Sequence, residues 1–166
     1  MLGVQDSWLL MRGMKTLKAR MEYSEAAAGR LAEWLADHPL VEKVYYPGLP
    51  NHPGRAIHEK QSLGYGAVVS FDVGSGEKAH RLLNAVDIPL VAVSLGAVES
   101  ILSYPAKMSH ASMPREVRHE RGITDGLLRY SVGWKMLKIL LPIWMRHCAL
   151  SAVWDLGSLF FAGAPG

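Results

Sequence analysis

From residue 6 to residue 37 the chain carries no proline, and apolar side chains recur at steps of three and four through Leu9, Leu10, Met14, Leu17, Met21, Ala27, Leu31, Trp34 and Leu35. That period gathers them on one stripe and predicts a long N-terminal helix or two helices in sequence. Asp6 or Ser7 is the expected cap, and His38-Pro39 the expected stop, because a proline ring disfavours a helical residue before it. Further on the pattern changes to short β-type runs: VEKVYY at 41–46, AVVSFDV at 67–73, Leu90 to Val93, and Leu127 to Val132. Turn chemistry at Pro47-Gly48, Pro50-Asn51 and Gly74-Ser75-Gly76 punctuates them. Short helices are expected at 56–60, at 77–85, near Val98 to Leu102, and at 114–121, the last with Pro114 in its first turn. The layout predicts an α/β or α+β fold in which helices cover a small sheet.

Composition narrows the function classes. At 166 residues, 49% hydrophobic and 20% charged, the chain can bury a core of its own, which argues against disorder. The formal charge is +3, but the cations are scattered, with Glu22, Glu25, Glu33, Asp37 and Glu42 among them, so no nucleic acid partner is expected. The single cysteine, Cys148, can neither close an intramolecular disulfide nor build a structural zinc site, and a reducing, cytoplasmic setting is expected. The first residues show no signal-peptide pattern. The apolar tail is interrupted by Pro142, Arg146, His147 and Asp155 in every window of about 20 residues, so no membrane span is expected.

Candidate chemistry is sparse. None of His38, His52, His58, His80, His110, His119 and His147 forms the helical pair with a glutamate that a zinc protease uses, and no metal is expected. Gly64-Tyr65-Gly66 and Gly74-Ser75-Gly76 read as turn glycines rather than phosphate loops. No serine lies in a G-x-S-x-G setting. Arg129 stands out: a lone guanidinium within the apolar run LLRYSVG is costly to bury unless an anion answers it. It either meets an anionic ligand, or lies on an edge strand facing water or paired with Glu99 or Asp125. Ser94 and Glu99 fall in a glycine-bearing bend after a strand, where loops present ligand groups, although helix capping accounts for both equally.

Five ordered stretches resemble the pyridoxal-phosphate enzymes of cysteine and methionine metabolism, which include cystathionine gamma-synthase, cystathionine beta-lyase and methionine gamma-lyase. They are DSWLLMRGMKTLKARM at 6–21, VEKVYYPGLPNHPG at 41–54, GYGAVVSFDV at 64–73, VSLGAVESILSYPAKMSHASMP at 93–114 and RGITDGLLRYSVG at 121–133. The resemblance implies the C-terminal domain of a fold type I enzyme: a long N-terminal helix, then a small, mostly antiparallel sheet with helices packed on one face. It also implies a fragment, whose expected divisions are a linking helix or helix pair at 1–37, a small domain at 38–133 and an aberrant tail at 134–166.

In this family pyridoxal 5'-phosphate is held by a lysine of the larger, preceding domain, and no cofactor-binding or catalytic residue is identifiable in this chain. Lys15 and Lys18 match the linking-helix motif and are not candidates for that lysine. What the resemblance carries over is a substrate site: Arg129 matches the residue that grips the amino acid α-carboxylate in a two-pronged pair, and Ser94 lies in the stretch supporting that contact. The implied substrate is a small sulfur amino acid, and homo-oligomers are usual for intact members. Val93 stands where some γ-acting relatives place a glutamate. Chemistry on cystathionine, by synthase or lyase, is ranked first, with the isolated chain expected to be inactive. The alternative is a non-catalytic binding or oligomerisation module that joins a separately encoded cofactor domain.

The tail departs from the family. Where an acidic amphipathic helix is expected after Trp134, the chain reads KMLKILLPIW, and loss of one base after the Trp134 codon converts codons for the family sequence into this one. Residues 135–166 are therefore expected to be an out-of-frame product.

Overall fold

The computed structural model describes residues 1–134. The tail expectations, with His147 and Cys148, lie outside the described residues. Of the two expected arrangements, one long helix or two in sequence, the N-terminal segment forms the second: α1 (Val4–Met14) and α2 (Leu17–Ala36), separated at Lys15 and Thr16. Gly13 and the β-branched Thr16 weaken helix propensity where little packing compensates, since α1 buries no residue. The freed Gly13 carbonyl accepts from Arg20 Nη2 at 2.8 Å. Neither Asp6 nor Ser7 is the cap. Gly3 takes that position in an extended conformation, and Ser7 Oγ instead donates to the Gly3 carbonyl at 2.9 Å.

Helix α2 carries the stripe that builds the core. Ser24, Ala27, Ala28, Leu31, Ala32 and Leu35 are buried, and the helix ends at Ala36 with Asp37 as its C-cap, just before His38-Pro39. Strand β1 (Lys43–Tyr45) follows, then α3 (Arg55–Gln61), β2 (Val68–Asp72), α4 (Gly76–Ala85), β3 (Leu90–Val91), β4 (Ile101–Ser103), α5 (Arg115–Glu120) and β5 (Leu127–Ser131). Ser75 caps α4 by accepting from the Lys78 backbone N–H at 3.3 Å.

The strands form one five-stranded sheet in the order β1-β2-β5-β4-β3, antiparallel throughout except for the β3–β4 pair. The helix expected near Val98 to Leu102 is not formed, and Ile101–Ser103 is strand β4 between β3 and β5. Backbone groups beside two strands are satisfied by ladder pairing more fully than one helical turn could satisfy them.

Side chains alternate across the sheet, so each strand sorts its residues between two faces. Val69 and Phe71 of β2, Leu102 of β4, and Leu128 and Tyr130 of β5 join Leu31 and Leu35 of α2 and Ala79 of α4 in one buried cluster. Burying each large side chain contributes about 2 kcal/mol. Between Leu128 and Tyr130, the residue left for the opposite face is Arg129.

Candidate substrate carboxylate site

Register defines the site. Ser70 on β2, Arg129 on β5 and Ser103 on β4 lie side by side across three adjacent strands. Arg129 therefore sits on the middle strand of the sheet, which sets aside the edge-strand alternative. Its guanidinium is tied at one corner. Nη2 donates to the Ser94 carbonyl at 3.1 Å and to Ser103 Oγ at 3.2 Å. Nε is buried without a hydrogen-bond partner among the described residues.

The two carboxylates considered for pairing lie elsewhere. Glu99 is exposed, and the Asp125 carboxylate is held by Arg118, by Arg115 at 2.6 Å and by His119 at 3.4 Å. Among the described residues no carboxylate comes within ion-pair distance of Arg129. A partly buried, permanently charged guanidinium whose Nη1 donates to no described residue suits an external carboxylate.

The structure brings Arg129 and Ser94 together, with the contact made by the main-chain carbonyl of Ser94 rather than its hydroxyl. The bend carrying Ser94 is fastened at several points. Ser103 Oγ donates to the Ala92 carbonyl at 2.7 Å, the Gly96 backbone N–H donates to Ser131 Oγ at 2.9 Å, and the Trp134 backbone N–H donates to the Val98 carbonyl at 2.8 Å. Val93, Leu95 and Val98 on this bend are exposed apolar residues. Sequence reasoning missed Ser103, because a helix ending at Leu102 leaves it unassigned. A strand at 101–103 puts it on the Arg129 face by alternation alone.

The described residues do not fit as holders of pyridoxal phosphate. A lysine that binds an aldehyde cofactor has to be partly desolvated to lose its proton, whereas every described lysine is exposed. Lys15 lies at the α1–α2 break, and Lys18 pairs with Glu22 at 3.7 Å on the helix surface. Among the described residues no three of His, Cys, Asp or Glu gather as metal ligands, and no helix is long and apolar enough to cross a membrane.

Comparison with known proteins identifies the family of the chain. The profile of a family described as Cys/Met metabolism PLP-dependent enzyme matches residues 1–140. The chain is 61% identical over 132 residues to the cystathionine beta-lyase MetC of Bacillus subtilis (strain 168), an alignment covering 80% of this chain and 34% of that protein. It is 54% identical over 132 residues to a cystathionine gamma-lyase of the same strain, covering 80% and 35%. Among solved structures, cystathionine gamma-lyase from Lactobacillus plantarum complexed with L-serine superposes with a TM-score of 0.84 at 40% identity, over 90% of this chain and 39% of that one. Cystathionine gamma synthase from Xanthomonas oryzae pv. oryzae in complex with cystathionine gives 0.81 at 40% identity, over 87% and 38%. The chain thus spans about a third of the length of the curated relatives it matches.

Proposed function

Because the chain belongs to the pyridoxal-phosphate-dependent enzymes of cysteine and methionine metabolism, we propose that it is the substrate-carboxylate portion of a transsulfuration enzyme of the cystathionine beta-lyase or gamma-synthase type. One observation carries this reading: Arg129, on the middle strand, has no carboxylate partner among the described residues and keeps a buried Nε without an acceptor. Gripping the α-carboxylate orients the amino acid and fixes which bond at Cα faces the reacting group. Pyridoxal phosphate supplies the electron sink in this family. In our reading the residues that hold it are on the portion of the relatives that this chain does not span. The preference for cystathionine rests on the names of the relatives.

In the same proposal, residues 1–37 are the linking helix pair, 38–133 the small C-terminal domain, and 135–166 an out-of-frame product, which sequencing of the gene tests. The setting is cytoplasmic, and the intact enzyme is a homo-oligomer. The exposed Trp8, Leu9, Leu10 and Met11 of α1 support contact with further polypeptide.

The test assays thiol and ammonia release from L-cystathionine by the full chain, alone and mixed with the preceding two-thirds of the Bacillus subtilis cystathionine beta-lyase. The proposal expects activity from the mixture only. Turnover by the chain alone contradicts the fragment reading, and no turnover from either favours a non-catalytic module.

A further inference from the structure

We infer that Ser103 is a positioning residue that locks the Arg129 guanidinium in its carboxylate-gripping orientation, an inference resting on the reading of Arg129 given above. Ser103 is 3% exposed and lies directly opposite Arg129 in the β4–β5 register. A serine hydroxyl has one proton, and here it is given to the Ala92 carbonyl at 2.7 Å. The oxygen can therefore only accept from Arg129, which it does from Nη2 at 3.2 Å. Two residues beyond Ala92, the Ser94 carbonyl accepts from the same nitrogen at 3.1 Å.

The result is a closed circuit: segment 92–94 to Ser103, Ser103 to Arg129, and Arg129 back to segment 92–94. Nη2 is held in plane by these two acceptors, and Nη1, which donates to no described residue, is left to meet a ligand. An arginine side chain loses considerable rotamer freedom when it binds, and a guanidinium already held in place gives up less of it on binding a carboxylate. The ladder hydrogen bonds of β4 are made by the backbone, so removing the hydroxyl leaves the strand pairing intact.

The test uses the full chain labelled with nitrogen-15 and carbon-13. Without any ligand, rotation about the Arg129 Cζ–Nη2 bond is expected to be slow in the wild type. Ser103→Ala should speed it severalfold and weaken L-serine binding roughly tenfold. Ser103→Thr, which keeps a hydroxyl, should restore both. A merely structural hydroxyl would alter thermal stability without changing the rotation rate. Fast Nη2 rotation in the wild type overturns the inference and needs no variant. So does a Ser103→Ala chain that matches the wild type in rotation and affinity while Arg129→Gln abolishes binding. If Arg129→Gln binds L-serine as the wild type does, the carboxylate reading itself fails, which is a distinguishable result.

Discussion

Tyr46 and Gly66 are joined by a hydrogen bond from phenol to carbonyl, 3.0 Å long, that ties the residue after β1 to the approach to β2. The ring is buried in the core. Burial, with the nearby Glu25 carboxylate and Tyr65, pushes its pKa up to about 12. In the folded chain the phenol therefore keeps its proton after the unfolded form has lost it. Its contribution is complete below pH about 10 and is lost as pH rises towards about 12, a decline of about 2 kcal/mol. Urea unfolding across this range should show the loss. Tyr46→Phe should shrink it without abolishing it, since burial also raises Tyr104 and Tyr130.

The Arg118–Asp125 pair gives the opposite dependence. Arg118 is 5% exposed and also donates to the Ile123 carbonyl at 2.7 Å. Hydrogen bonds from Arg118 and then Arg115 hold the Asp125 carboxyl well below the usual carboxylate range. Its stabilising effect is complete above the ordinary aspartate pKa and declines as pH falls below it. Asp125→Asn should lose about 3 kcal/mol at pH 7, because it leaves a buried guanidinium without its anion. The difference from the wild type should narrow in acid, as denaturant unfolding at the two pH values will measure.

Two glycines flank β5 for steric reasons. A Cβ at Gly133 would lie 2.4 Å from the Val98 carbonyl oxygen, and one at Gly126 would lie 2.7 Å from the Gly74 backbone nitrogen. Backbone cannot swing aside as a flexible side chain can. Gly126→Ala and Gly133→Ala should each lower stability by about 2 kcal/mol, read as a drop in Tm. Gly133→Ala should also disturb the Ser94 bend, seen as shifted amide resonances from Val93 to Val98.

Much of this architecture is legible in the residues, for reasons that differ by element. The α2 stripe from Ala27 to Leu35 and the alternation through Leu127–Ser131 are long enough to show their periods, so helix, strand and buried face follow directly. Ile101–Ser103 is too short for any period. Its conformation is set by β3 and β5, which no local pattern displays. The break at Lys15-Thr16 escapes the apolar spacing because that spacing continues across it. At the site, Arg129 announces itself as a charge in an apolar run. Ser103 is silent, since a serine acquires its role only from register. Arg118 and Asp125 meet only because the chain reverses at Gly122, whose φ is +75°.

The most direct test of the central claim compares L-serine with ethanolamine, which lacks only the carboxylate, by following the Arg129 Nε–Hε resonance of the full chain. The account predicts that L-serine shifts the resonance saturably while ethanolamine leaves it in place. Equal shifts with the two compounds, or no shift with L-serine, would contradict it.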